Sequence, residues 1–127
     1  MPKREDHELP YATTRLKWSY HHTGIPTNVT RENETYIASL KMYVSGFESS
    51  PYGIEWMRFE DDSPVHPLIQ RFPHVAFVVD NLQEALAGKD MITEVTSPSE
   101  NIKVAMIQHN GVPIELMEIG DNDPDIK

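Results

Sequence analysis

The stretch HVAFVVDNLQEALAG, residues 74–88, contains the clearest strand-to-helix transition in the chain. Its first seven residues, 74–80, are compact, apolar and rich in β-branched side chains, which predicts a buried strand. Either Asp80 or Asn81 can cap the helix that follows, and Gly88 would end it, because glycine readily adopts the left-handed conformation found after helix C-termini. This stretch therefore predicts a strand followed by one short helix.

A β-hairpin is predicted downstream of this helix. The segments IKVAMIQH and VPIELMEI are joined by Asn110 and Gly111, a dipeptide that favours a two-residue turn between antiparallel strands. Residues 91–96 are predicted as an edge strand, and SPSE, residues 97–100, as a turn. The second half of the chain is thus predicted to run strand–helix–strand–strand–strand.

The first half repeats this order in a weaker form. LKWSYHHTGI (16–25), TYIASLKMYV (35–44) and GIEWMRFE (53–60) are predicted as strands, the second of them as one strand or two short ones. The intervening segment TNVTRENETY has β-branched and Asn residues and no apolar stripe at helical spacing. The helix at this place is therefore predicted to be shortened or absent. The segment DDSPVHP is predicted to be a linker between the halves.

The length of 127 residues predicts one domain with a substantial core. A polar arm is expected over residues 1–15 and a solvated tail over residues 121–127. Between them, residues 16–120 are predicted to form the single domain, in which module one covers residues 16–62 and module two residues 72–120.

Composition restricts the classes of function. The net charge of −9 disfavours nucleic acid and anionic membrane as partners, because both require clustered Lys and Arg. The chain has no cysteine, which excludes disulfides and thiolate metal sites. It contains no apolar run of transmembrane length, and the N-terminal segment MPKREDHELP lacks the hydrophobic core of a signal peptide. A cytoplasmic protein is expected, and the small size and open sheet edges favour a homodimer.

Each half carries a histidine in its first strand and a glutamate in its last. In the first half these residues are His22 and Glu55, and in the second half His74 and Glu115. Strand alternation places His21 on the face opposite to His22, and His22 precedes TGI as His74 precedes VAF, which favours His22 as the matching residue. Any one of these side chains alone is ordinarily a surface or satisfied core residue. The repeated order His–Glu–His–Glu favours a shared site for one divalent metal ion.

Both glutamates lie in otherwise apolar rows of side chains. Alternation gives Glu55 the same face as Met57 and Phe59, and gives Glu115 the same face as Met117. Burial of an unpaired carboxylate is costly, so each glutamate needs a cation or hydrogen-bond donors nearby. Because the chain has no cysteine, the metal would be bound by His, carboxylate and water, which are ligands suited to Zn, Ni, Co, Mn or Fe.

The segments HHTGIPT, IEWMRF, PHVAFVVDNLQEAL and NGVPIELMEI resemble the vicinal oxygen chelate superfamily. That superfamily includes glyoxalase I, methylmalonyl-CoA epimerase, extradiol dioxygenases, and the fosfomycin and bleomycin resistance proteins. The resemblance covers about residues 17–119 and is stronger in the second half. It implies an α+β fold in which two βαβββ modules form a curled, mainly antiparallel sheet around a cleft, often completed by dimerisation.

The resemblance also implies a site and a reaction. The four ligand positions of the superfamily correspond to His22, Glu55, His74 and Glu115, a set similar to those of glyoxalase I and the epimerase. The implied reaction is metal-assisted proton abstraction next to a carbonyl of a small oxygenated metabolite, by an isomerase or lyase with Glu55 or Glu115 as the base. Two alternatives remain open: a non-catalytic small-molecule-binding protein of the resistance type, and an Fe(II)-dependent ring-cleaving dioxygenase.

Overall fold

A computed structural model of the protein describes residues 3–120, so the predicted tail over 121–127 lies outside the described residues. The first half forms β1 (Ser19–Pro26), β2 (Thr35–Ile37), β3 (Met42–Ser45) and β4 (Ile54–Phe59). The second half forms β5 (His74–Val78), β6 (Thr96–Ser99), β7 (Ile102–His109) and β8 (Val112–Ile119). The helices are short: α1 (Tyr11–Thr14), α2 (Pro67–Arg71) and α3 (Leu82–Leu86). None of the helices within residues 3–120 is long and apolar enough to cross a bilayer.

The eight strands form one sheet in the order β2-β3-β4-β1-β5-β8-β7-β6. At its centre β1 pairs antiparallel with β5, which joins the two modules. Within each module the first and last strands are parallel neighbours, β1 with β4 and β5 with β8, whereas the remaining pairs are antiparallel. The sheet curls into a half-barrel around a cleft. The predicted α+β fold is confirmed, including the absence of a helix between β1 and β2.

The two faces of the sheet bury separate apolar clusters. On the face that we call inner, Met42, Met57 and Met106 pack with Ile69 of α2. On the opposite, outer face, α3 covers a second cluster, which consists of Val79, Leu82, Leu86, Ala105, Ile107 and Leu116. Met57 shares the inner face with Glu55, so the alternation predicted for that strand is confirmed.

The second module forms the strand-to-helix transition and the hairpin that its sequence predicts. Asn81 is the N-cap of α3, and its side-chain oxygen accepts the backbone N–H of Glu84 at 2.9 Å. Asn110 and Gly111 have φ values of 51° and 87°, the left-handed pair that a two-residue hairpin turn requires. Gly88 also has a positive φ just after α3. Local sequence signals therefore predict this transition and this hairpin correctly.

The edge of the sheet differs from the prediction. The edge strand is not at residues 91–96 but at Thr96–Ser99, so most of the predicted SPSE turn is strand. All four residues of β6 are exposed and polar or proline, so no apolar alternation marks the strand. Pro98 is compatible with this position, because one side of an edge strand needs no backbone donor. Met91 contributes only an isolated bridge to Ile107.

Two other segments also differ from the sequence-based prediction. The first strand begins at Ser19 rather than at residue 16, because the backbone N–H of Trp18 bonds to Ala12 of α1 at 2.9 Å. The predicted linker leads directly into α2, where Pro67 is the first helical residue and His66 the N-cap. The imidazole of His66 accepts the N–H of Leu68, a role that hydrophobic patterning does not reveal.

The outer face of module one is covered by cationic side chains in place of a helix. Arg58 makes a bidentate pair with Glu34 at 2.9 and 2.7 Å, and its guanidinium lies 4.1 Å from the ring centroid of Tyr43. Arg31 lies 4.6 Å from the ring centroid of Trp56. Arginine suits this role because its planar group can pair with a carboxylate and stack on an aromatic ring together.

Candidate metal centre

The strand order brings the four predicted ligands together at the centre of the sheet. The adjacent strands β4, β1, β5 and β8 carry, in that order, Glu55, His22, His74 and Glu115. Gly24 of β1 is paired with Glu55 on one side and with His74 on the other. Ala76 of β5 is likewise paired with His22 and with Glu115. The four side chains therefore point to the inner face at two successive levels, Glu55 and His74 at one and His22 and Glu115 at the other.

Three of these residues converge closely enough to bind one ion. His74 Nε2 lies 3.0 Å from Glu115 Oε1, and His22 Nε2 lies 3.4 Å from the same oxygen. Ligand atoms from the three residues all lie within 4.8 Å of one another. Bonds of roughly 2.1 Å to one ion place neighbouring ligand atoms about 3–3.5 Å apart, so the two distances from the histidines to Glu115 match those of a divalent metal site. Both imidazoles are buried and accompany a carboxylate, which is a donor set typical of such sites.

Glu55 is close to this trio but less tightly associated with it. Its Oε1 lies 3.8 Å from His22 Nε2, and its side chain is 21% exposed, compared with 16% for Glu115. It is not part of the group whose ligand atoms all lie within 4.8 Å. The structure thus places all four predicted residues in one cluster and brings His22, His74 and Glu115 into ligand geometry. Glu55 as a fourth ligand stays a prediction.

The two carboxylates differ in their electrostatic surroundings. Burial alone would raise the pKa of Glu115, but bonds to His22 and His74 and the charges of both rings lower this pKa to about 2. Burial raises the pKa of Glu55, and the nearby charge of Glu115 raises it further, against the opposing effect of the histidines. Although burial lowers the pKa of His22, its hydrogen bond to Glu115 and its attraction to both carboxylates raise that pKa overall. Glu115 is therefore the firmly ionised carboxylate and Glu55 the one that protonates more readily.

The depressed pKa of Glu115 predicts acid sensitivity of the metal-free protein. Its pKa is 4.5 in the unfolded reference and about 2 in the folded chain, so ionised Glu115 stabilises the fold above pH 4.5. This contribution, on the order of 3 kcal/mol, is lost as the pH falls through about 4.5 to about 2. This loss is tested by measuring the free energy of urea unfolding for wild type and Glu115→Gln across this pH range. A wild-type stability that declines no faster than that of the variant would contradict the assignment.

The prediction that His21 lies on the face opposite to His22 is wrong. The pairing of β1 with β5 shifts register between Tyr20 and His22, which makes His21 an extra residue opposite one partner. Such a bulge interrupts strict alternation, so neighbouring side chains can share a face. The Nδ1 atoms of His21 and His22 lie 2.8 Å apart, and the two ring centroids are 5.1 Å apart.

Two further residues shape the site and were not identified from the sequence. The His74 ring packs on Gly24, where an added Cβ would lie 2.3 Å from His74 Cε1. A glycine inside an otherwise β-prone strand is the signal that could have revealed this close approach. Phe47, in the loop between β3 and β4, contacts both the His21 and His22 rings and is 45% exposed. No sequence pattern marks Phe47, because its role depends on where the loop folds.

Neither a protein-family model nor a curated protein matches this sequence. Solved structures, however, share its fold. A hypothetical protein from Bacillus halodurans superposes with a TM-score of 0.60 at 19% identity, over 80% of this chain and 94% of that protein. Methylmalonyl-CoA epimerase from Mycobacterium tuberculosis superposes with a TM-score of 0.52 at 18% identity, over 94% of this chain and 96% of the epimerase. These similarities show that the chain shares the fold of these two proteins.

Proposed function

We propose that the protein is a metal-dependent enzyme of the glyoxalase type that removes a proton next to a carbonyl in a small oxygenated metabolite. The observation that carries this proposal is the convergence of His22, His74 and Glu115 at ligand spacing, with Glu55 beside them. The fold shared with an epimerase supports isomerisation as the reaction class. The substrate of that epimerase does not follow from a shared fold.

The residues of the cluster have separate roles in this proposal. His22, His74 and Glu115 would bind the ion, since Glu115 contacts both imidazoles and stays ionised. A divalent ion bound there would act as a Lewis acid that polarises the substrate carbonyl and so acidifies the adjacent C–H bond. Glu55 would accept the proton on a carboxylate oxygen and return it to the same or a neighbouring atom. Its greater exposure and its raised pKa suit a base that works near neutral pH.

The primary test is the metal content and metal affinity of Glu115→Ala. Wild type is expected to bind about one divalent ion per chain, measured by elemental analysis and by titration with Co(II). Glu115→Ala is expected to bind it more than ~100-fold more weakly, because even the outer partners of metal ligands contribute ~10–100-fold. Glu118→Ala is the matched control, since Glu118 lies on the same strand but bonds to the Leu82 N–H on the outer face.

Two outcomes of this test would contradict the proposal. If wild type fails to bind Zn, Ni, Co, Mn or Fe, no metal-dependent reaction is available. If small ligands still bind to metal-free protein and to Glu115→Ala alike, the cleft belongs to a non-catalytic binding protein. The proposal stands only if ligand binding or turnover depends on the ion that Glu115 helps to bind.

The donor set of the trio also favours a second candidate function. Two histidines and one carboxylate form the ligand set of non-haem Fe(II) oxygenases, and these enzymes need open coordination positions for oxygen and substrate. His22, His74 and Glu115 match that set, with Glu55 at a longer distance. Oxygen uptake by the Fe(II)-loaded protein with catechol-type compounds would support ring cleavage. Solvent deuterium exchange without oxygen uptake would support the isomerase instead.

A further inference from the structure

We propose that His21 is a positioning residue that orients His22 so that its Nε2 atom faces the metal. The inference rests on the metal centre proposed above. The Nδ1 atoms of the two rings lie 2.8 Å apart, which is a hydrogen-bond distance. Two imidazole nitrogens at this distance form a hydrogen bond only when one carries a proton and the other presents its lone pair.

The direction of this hydrogen bond follows from what surrounds the other nitrogen of His22. His22 Nε2 lies 3.4 Å from Glu115 Oε1 and 3.8 Å from Glu55 Oε1, so it is the atom directed into the ligand cluster. A neutral imidazole that donates its Nε2 lone pair to an ion carries its one proton on Nδ1. His22 therefore donates from Nδ1, and His21 Nδ1 accepts. The contact thus gives the Nδ1–H of a metal-binding His22 an acceptor and holds its ring in the orientation that metal binding needs.

The backbone and one aromatic side chain keep the two rings together. The bulge at His21 brings its side chain to the same face as His22, which regular alternation would prevent. Phe47 then packs against both imidazoles, with centroid distances of 5.7 Å to His21 and 5.5 Å to His22. Rotation of His22 away from the cluster would break the Nδ1 hydrogen bond and disturb this packing together.

The second histidine ligand is restrained differently. His74 Nδ1 is buried and has no hydrogen-bond partner within residues 3–120, and its ring packs directly on Gly24. On the Nδ1 side of each ring, packing thus orients His74, whereas a hydrogen bond orients His22. Outer partners that fix the orientation of a histidine ligand contribute roughly 10–100-fold to metal affinity. Loss of the His21 acceptor should therefore lower the affinity for the metal, and it should do so only by loosening the orientation of His22.

The test compares His21→Phe with His21→Asn. Phe retains an aromatic ring against Phe47 but has no acceptor, whereas the Asn side-chain oxygen can occupy nearly the position of His21 Nδ1. Co(II) and Zn(II) affinities are measured by competition with a chelator, and thermal unfolding shows that each variant is folded. We expect His21→Phe to bind metal roughly 10–100-fold more weakly than wild type, and His21→Asn to recover most of that loss.

A spectroscopic measurement separates this role from general packing. A ring N–H that is buried and hydrogen-bonded exchanges slowly with water, so wild type and His21→Asn should show a downfield ¹H–¹⁵N resonance from His22 Nδ1. His21→Phe should lack this resonance. Equal affinities for wild type and His21→Phe, or equally weak binding by both variants, would overturn the proposal. If wild type binds no metal, the proposed function fails. The hydrogen bond between the rings is overturned separately if neither His21 nor His22 of the metal-free protein shows a downfield Nδ1–H resonance.

Discussion

Glu55→Gln is expected to slow proton abstraction by ~10²–10⁴-fold while the protein keeps its metal. Glutamine has nearly the size and shape of glutamate but cannot accept a proton, so the substitution removes the base and little else. Glu55 Oε1 lies 3.8 Å from His22 Nε2, whereas Glu115 Oε1 lies 3.0 Å from His74 Nε2 and 3.4 Å from His22 Nε2. The metal should therefore be held by Glu115 and the histidines when Glu55 is replaced. The measurement is deuterium incorporation from D₂O, followed by proton NMR, into a panel of small 2-oxo and α-hydroxycarbonyl compounds.

Glu48→Gln provides the control for this experiment. Glu48 is an exposed acidic residue on the same β3–β4 loop as Phe47, so its substitution removes one negative charge close in sequence to the site without touching the cluster. Exchange rates in Glu48→Gln should equal those of wild type. A Glu55→Gln protein that loses its metal would show that Glu55 serves chiefly as a ligand. An unchanged exchange rate in Glu55→Gln would show that another group is the base.

The four candidate ligands could be identified from the sequence by two different signals, one for the glutamates and one for the histidines. Alternation identifies Glu55 and Glu115 as carboxylates on apolar rows, and the repeated order selects His22 and His74. Burial of an ionisable side chain costs free energy, and a binding partner shared by several such side chains is the simplest way to offset that cost. The structure then shows that these residues lie on four adjacent strands.

The pairing of the two modules could not be predicted from the sequence. The contact between β1 and β5 joins segments about fifty residues apart, and nothing local in either strand specifies its neighbour. The bulge at His21 could not be predicted either, because the alternation of side chains between faces holds only where the register is unbroken. The prediction about His21 failed for this reason. A backbone irregularity of one residue turned a side chain expected on the outer face into a neighbour of the site.

The two modules also differ in how much their sequences reveal. In module two, Asn81 caps α3 and Asn110 starts a tight turn, so local chemistry predicts the start of the helix and the hairpin well. In module one, long-range pairs such as Arg58 with Glu34 cover the outer face, which has no helix corresponding to α3. Such pairs depend on the folded geometry of distant segments, which hydrophobic periodicity does not encode.

Gly24→Ala is expected both to destabilise the protein and to weaken metal binding. The added Cβ would lie 2.3 Å from His74 Cε1 and 2.8 Å from each ring nitrogen, well inside contact distance. His74 is only 5% exposed, so its ring has little space to move away. Gly24 does not have a positive φ, so the backbone itself accepts alanine. Overpacking of this kind typically costs 1–3 kcal/mol, and displacement of His74 should release the ion.

A double-mutant cycle with His74→Ala isolates the clash that this prediction invokes. If the only fault of Gly24→Ala is contact with the imidazole, the same change becomes harmless once the imidazole is removed. Alanine also restricts the unfolded chain, which favours folding by ~0.4–1 kcal/mol at compatible positions. Gly24→Ala should therefore stabilise the His74→Ala background while it destabilises wild type, as measured by urea unfolding of the metal-free proteins. Equal destabilisation in both backgrounds would show that Gly24 does not act through His74, because residues that are not coupled have additive effects.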